Sequence, residues 1–256
     1  MVVPGATHFY RYCSAKRLDW LEPILLKHQL YFPKPAELND PAEGRPRLES
    51  KSARQTARFF MSVWRSNHPS ATLDEIAATF GDVSTAVARF GLDWMWREST
   101  TLLHRELSEM HILSMSRRWN NMSMWAKYAD NHTGYCLEFA NAGLFAAARE
   151  VEYGDIAVVD VTDTGSMDIA FFFRKKNDWS NEEEVRILGP TFWPSLISFD
   201  PTLLTRVILG KEMASKHRSQ IRRWAFTRSP NVTVVEVEYD QFDHTLKVAP
   251  ADRVTT

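Results

Sequence analysis

The sequence predicts an α+β fold with a helical insertion at about 48–110, and three observations predict it. Short runs rich in aromatic and β-branched residues, with period-two alternation, stand near the start and recur through the second half. Between Leu48 and Met110 apolar residues return at helical spacing instead. No internal repeat, low-complexity tract or long linker breaks the 256 residues, so residues 1–256 are expected to form a single domain.

The elements follow in order. "HFYRYCS" (His8 to Ser14) reads as a short aromatic strand. In "AKRLDWLEPILLKHQ", Leu18, Leu21, Leu25 and His28 fall at helical spacing, with Pro23 bending or delaying the helix. "LYF" is a second strand, and "PKPAELNDPAEGRP" is turn material. Inside the insertion, "TLDE" (Thr72 to Glu75) is a capping box and Gly81 closes the helix that it opens. Val83, Val87, Phe90 and Trp94 continue as one core-facing helical stripe. "HILSMS", "GYCLEF", "EVEY", "TRVILG" and "NVTVVEVEY" then read as strands. "NNMSMWAKYADN" is a capped helix, and Ala214 to Phe226 is a basic one.

Composition bounds the function. Hydrophobic residues make up 44% and charged residues 25%, as in ordinary globular proteins, and a formal net charge of -1 gives no global attraction to nucleic acid or anionic membrane. Any electrostatic site must therefore be local. Cys13 and Cys136 are expected to be free thiols in a reducing compartment. No Cys-x-x-Cys or His-Glu-x-x-His spacing occurs, so no structural zinc or zincin site is expected. "MVVPGATHFYRY" lacks a basic region followed by an apolar run, and no window approaches the ~18 apolar residues of a membrane span. A cytoplasmic protein with no membrane partner is the expectation.

Several constellations can carry chemistry. In "KKNDWSNEEEVRIL" (Lys175 to Leu188), Val185 and Ile187 should face the core, which places Glu182, Glu184 and Arg186 together on the other face. Paired carboxylates suit proton transfer, metal binding or stabilisation of a developing cation; a solvated strand end bridged to Arg186 or Lys175 is the plainer alternative. Arg11 shares a strand face with Phe9 and Cys13, which is costly unless an anion meets it. That anion could be the carboxylate of Glu184 or Glu138, or a phosphate, whose oxygens match the guanidinium fork. Ser114 and Ser116 point to one face of their strand. Trp125, Tyr128 and His132 read as one aromatic helical stripe, able to pack or to stack on a flat ring. Lys216, Arg218, Arg222 and Arg223 form a basic helix face, either solvated or in contact with nucleic-acid phosphates. The 10 glycines contain no Walker A loop and no Gly-x-Gly-x-x-Gly, so a nucleotide here would be held by side chains.

The ordered set "FYRY", "LYFPKPAELNDPAE", "SMS", "MWAKYADNHTGYCLEF", "VEY", "W-x-x-E-x-E-x-R" and "VILG", over about Phe9 to Val248, resembles a bacterial family labelled a domain of unknown function. Its most specific elements are Asn39-Asp40-Pro41, Met124-Trp125 with Tyr128-Ala129, and Glu182-x-Glu184-x-Arg186. More distantly, an aromatic-Arg strand, then a Ser-x-Ser strand, then a Glu-x-Glu strand is similar to the Arg-Ser-Glu layout of the ADP-ribosyltransferase superfamily. That resemblance implies a split two-sheet core and NAD as substrate, cleaved between nicotinamide and ribose. It implies Glu184 as the catalytic residue and Glu182 as the group that orients or deprotonates the acceptor. Arg11 would grip the pyrophosphate or nicotinamide-side ribose, Ser114 and Ser116 would brace the ribose, and Tyr31 or Tyr128 would stack on nicotinamide. Asn39 joins this candidate NAD-binding set through its family turn. Met115 stands where the superfamily usually has Thr, and the Asn39-Asp40-Pro41 turn has no counterpart in that layout. The acceptor is open: protein, nucleic acid, a small molecule or water. An NAD-consuming protein in a bacterium would act as a toxin, effector or defence component, with an antitoxin or immunity partner. Two other classes remain. One is a metal-dependent hydrolase or nuclease that adds Asp40, Glu43 or Glu138 to the glutamate pair. The other is a regulatory module that binds a nucleotide or nucleic acid without turnover.

Overall fold

The structure, a computed structural model, describes residues 3, 5–40, 46–155, 158–160 and 169–249. The chain divides into two compact units. One comprises Met1–Pro33, His111–Tyr153 and Lys176–Thr256; the other comprises Lys34–Met110 and Gly154–Lys175. Residues 48–110, where helices were expected, fall in the second unit, which begins at Lys34 and takes in a second segment after Tyr153.

Eight strands build the large sheet of the first unit: β1 (His8–Cys13), β2 (His111–Ser116), β3 (Tyr135–Ala140), β4 (Arg149–Glu150), β5 (Glu184–Gly189), β6 (Leu204–Leu209), β7 (Thr233–Asp240) and β8 (Thr245–Val248). They hydrogen-bond in the order β8-β7-β6-β3-β1-β2-β5-β4. All neighbours are antiparallel except β6 and β7, which are parallel. The α+β class is as expected, while the strands are linked in one eight-stranded sheet rather than two separate ones. The central joint is slight. β1 meets β2 through the single pair Tyr10↔Ser116, whereas β1 pairs with β3 along all of His8–Cys13 and β5 pairs with β2 along all of Glu184–Gly189. The expected strand "LYF" lies outside this sheet, as a ribbon of Gln29–Tyr31 with Leu196–Ser198.

Strand alternation gives the sheet two different faces. Phe9, Leu113, Met115, Leu137, Phe139, Val185, Ile187 and Val207 make one apolar face. It packs against Leu21, Ile24 and Leu25 of helix α1 (Leu18–Leu26) and against Ile221 and Ala225 of the basic helix Ser215–Thr227. The second face carries Tyr10, Tyr12 and Cys136, and is covered by Met124 and Trp125 of the helix Met122–Tyr128. That short helix starts where Asn121 accepts hydrogen bonds from the amides of Ser123 and Met124.

In the second unit the helices are α2 (Ala53–Asn67), α3 (Leu73–Phe80), α4 (Val83–Phe90) and α5 (Leu92–Ser108). Thr72 and Glu75 form the expected capping box on α3, and Gly81 ends it at φ 62°. The stripe expected to run from Val83 to Trp94 is divided between α4 and α5, because Gly91 at φ 75° turns the chain. Phe60, Phe80, Ala86 and Met95 are the buried centre of this unit, with Phe90 stacked on Trp94. Continuing the labels, the helix Met122–Tyr128 is α6 and Ser215–Thr227 is α7. Among the described residues, no helix is long and apolar enough to cross a membrane.

Candidate functional site

The three glutamates do not form a simple strand face. β5 begins at Glu184, Glu182 ends a 3-10 helix (Asn177–Glu182), and Glu183 between them is left-handed at φ 44°. This turn buries Glu182 and Glu184, while Glu183 bonds outward to Arg118 at 3.0 Å. Glu is rarely left-handed, so the backbone pays a local cost to turn both carboxylates inward.

Glu184 is held by Arg186, two residues along the same face, through contacts of 2.5 and 2.9 Å from Nε and Nη2. Both partners are almost wholly buried, at 5% and 1% exposure. Glu182 is held from α6: the Tyr128 hydroxyl donates to its Oε1 at 2.7 Å and Lys127 Nζ donates at 3.0 Å. Lys127 also lies 3.3 Å from the centre of the Trp179 ring, a cation–π contact, and keeps 40% of its side chain exposed. Ser116, fully buried and opposite Glu184 on β2, donates to the Glu182 carbonyl at 2.8 Å. The Asn121 side chain reaches the Asn181 carbonyl, and Asn181 returns a bond to Ser123, which ties the start of α6 to the 3-10 helix.

Across the sheet, Glu184, Ser116, Tyr10, Glu138 and Arg206 lie in one row, on the same face. Glu138 is 2% exposed and is gripped by both Nε and Nη2 of Arg206 and by the Thr205 hydroxyl. A β-bulge at Thr205 lets two successive residues serve one carboxylate. Burial works to raise the Glu138 pKa, but its hydrogen bonds from Arg206 and Thr205 outweigh it and hold the carboxyl below its ordinary value. Beside it, burial and then the Glu138 charge push the Tyr10 phenol up to about 12.

The sheet thus brings together Glu182, Glu184, Ser116 and Tyr128, with Ser114 one step along, opposite Arg186. It separates Arg11 from them. Arg11 alternates with Tyr10 and Tyr12, and so lies on the apolar face with Phe9 and Cys13. Neither carboxylate considered for it, Glu184 or Glu138, shares its face, because the Tyr10↔Ser116 and Tyr10↔Glu138 pairs put both on the other side. Tyr31 is in the ribbon, with its ring 6.2 Å from that of Trp20. Asn39 is exposed and, with Asp40, belongs to the second unit; Pro41 and Glu43 lie outside the described residues. Among the described residues no three His, Cys, Asp or Glu side chains gather as a metal would require.

Two sequence expectations change in detail. The Trp125–Tyr128–His132 stripe ends with α6: Asp130, Asn131 and His132 are all left-handed, and His132 returns to stack on Trp125 at 5.6 Å between ring centres. On α7, Arg218 and Arg222 are taken up by Glu236, which leaves Lys216 and Arg223 as the exposed cations of that face. Lys127, Trp179 and Arg206 are site residues that pattern reading passed over. Lys127 adjoins Tyr128, and Trp179 stands three residues before Glu182, so spacing alone carried some signal for both.

A family model described as "Protein of unknown function (DUF2971)" matches residues 124–162, which run from α6 through the left-handed turn and β3. No curated protein and no solved structure matches the chain.

Proposed function

We propose that the first unit carries an NAD-cleaving site, for ADP-ribosyl transfer or NAD hydrolysis, at the mouth of β5. The observation that carries this reading is the pair of buried carboxylates on either side of left-handed Glu183, each fixed by side-chain partners. Breaking the nicotinamide–ribose bond leaves its electron pair on the departing nicotinamide and builds oxocarbenium character on the ribose. A carboxylate already oriented in a desolvated place stabilises that cation with little reorganisation. The acceptor then bonds to the ribose carbon and gives up its proton to a carboxylate or to solvent.

The partners separate the roles. Glu184 has both oxygens engaged by a buried guanidinium, whereas Glu182 is held in part by Lys127, a part-exposed ammonium that an incoming ligand can displace. Glu182 therefore faces the developing cation and Glu184 with Arg186 supports it. Tyr128 and Trp179 offer ring faces at the same place. The thin joint between β1 and β2 supports a cleft here, since a sheet held by one residue pair splays easily. Arg11, on the opposite face, takes no part; Lys127 supplies the cation for the phosphates. Consumption of NAD would suit a toxin, effector or defence protein acting in a bacterial cytoplasm, with an antitoxin or immunity partner restraining it.

The test is nicotinamide release from NAD, with and without cell lysate as acceptor source, for the wild-type chain, Glu182→Gln and Glu184→Gln. Release should survive EDTA and fall on the order of 10²–10³ in Glu182→Gln. No release under any of these conditions would overturn the catalytic reading. A second reading, nucleotide binding without turnover, is favoured by the closed Glu184–Arg186 pair, and NAD binding without release would select it.

A further inference from the structure

We propose that Arg11 is the centre of a separate binding site for a small oxyanion, a phosphate or a carboxylate group, on the sheet face opposite the two glutamates. Arg11 stands in the middle of β1 and is opposite Leu137 on β3, with Phe9 and Cys13 beside it on the apolar face. Its Nη1 is buried and has no hydrogen-bond acceptor. Two other arginines of the sheet each have an acid: buried Arg186 has Glu184, and part-buried Arg206 has Glu138. Those two acids are the ones that could have reached β1, and the sheet register puts both on the far side. The remaining acids near this end of β1 are engaged elsewhere. Asp130 accepts from Ser14 and Lys16, and exposed Asp19 pairs with Arg17 at 3.3 Å.

The neighbours of Arg11 suit an anion. Cys13 and Tyr135 are opposite one another in register, on its face. Burial pushes the Cys13 thiol up even though the Arg11 charge pulls it down, and burial likewise holds the Tyr135 phenol well above its ordinary value. Both groups therefore keep their protons at neutral pH. A guanidinium, an S–H and an O–H then stand together; the Cys13 thiol bonds with the side chains of Tyr135 and Arg11 and the charge of exposed Asp19 reaches Tyr135, while Arg11 Nη1 keeps no acceptor. Such a set stays costly until something with oxygen lone pairs and negative charge enters it. As whole residues, Arg11 and Cys13 are each partly exposed. A guanidinium fork donates to two oxygens of one phosphate or carboxylate. This site is independent of NAD cleavage, since it uses the other face and none of the same side chains.

The test uses the full chain and two anions. Its melting temperature is followed in inorganic phosphate and in acetate, each against chloride at matched ionic strength, for wild type and Arg11→Gln. Binding to the native state alone should give wild type a saturable upward shift of a few degrees, lost in Arg11→Gln. A response to phosphate only assigns a phosphate group, and a response to acetate as well admits carboxylates. An equal shift in Arg11→Gln, or no shift of wild type with either anion, overturns the proposal. Should Arg11→Gln fail to fold, wild-type thiol chemistry decides. Alkylation of Cys13 by iodoacetate should slow several-fold in phosphate, with fully buried Cys136 as the internal reference. An unchanged Cys13 rate would count against the site as decisively.

Discussion

Arg186 shows how much one side chain carries. It is 1% exposed and grips Glu184, so its removal takes this guanidinium away from a buried carboxylate. Arg186→Leu should cost about 3–5 kcal/mol, read as a lower urea midpoint. Pairing it with Glu184→Leu should restore much of that loss, because two apolar residues leave no charge stranded. If the double variant is no better than the single, the ion pair is not what the arginine contributes. This pair was legible in the sequence, since residues two apart on a strand share a face. The Tyr128–Glu182 bond was not, because it joins residues 54 apart in sequence and no local rule reaches that far.

At the scale of elements, the turn between α6 and β3 is the most demanding piece of chain. Three successive left-handed residues, Asp130, Asn131 and His132, bring the backbone back under α6 before Gly134 opens the way into β3. Gly134 is required by proximity and not by its dihedral angle. A Cβ there would lie 2.1 Å from the Cys13 carbonyl oxygen and 2.9 Å from Ala129 Cα. Both neighbours are backbone and cannot swing aside. Gly134→Ala should therefore destabilise by at least the ~1–3 kcal/mol of an overpacked core, visible as a fall in melting temperature. An unchanged melting temperature would mean that β1 and β3 can separate at this end. The stretch "NNMSMWAKYADN" announced a capped helix, but not that leaving it needs three left-handed residues. Glu183 is a similar case: a strand was expected through Glu182, and the left-handed turn that shortened it has no glycine to mark it.

For the whole molecule, the perturbed groups set how stability follows pH. His132 and His28 are held below the ordinary histidine value, chiefly by burial and then by the charges of Lys211 and Arg228 respectively. A histidine with a lowered native pKa binds its proton more readily when unfolded. Its stabilising contribution is thus complete above the unfolded value of ~6.5 and declines as pH falls towards the native value. Glu138, also lowered, adds a second loss, which begins below the unfolded glutamate value of ~4.3 and continues through the native one. Urea midpoints should fall between pH 7 and pH 5 and fall further below pH 4.5. His132→Asn, which tolerates the left-handed backbone, should flatten the first decline. A midpoint that rises on acidification from pH 7 to pH 5 would contradict this assignment.

By itself the sequence determined what depends on neighbours a few residues apart. Hydrophobic period placed the strands and helices, Thr72 and Glu75 capped α3, and alternation put Arg11 on an apolar face and Arg186 beside Glu184. Only the tertiary structure decided which distant groups meet. It linked the strands in one sheet, gave Glu138 to Arg206, brought Lys127 and Tyr128 to Glu182, and left Arg11 on the other side from every acid proposed for it. The physical reason is that strand order and register come from summed burial and pairing over the whole sheet. No short stretch contains that sum, and a site assembled from four strands and a helix is legible only once it has been carried out.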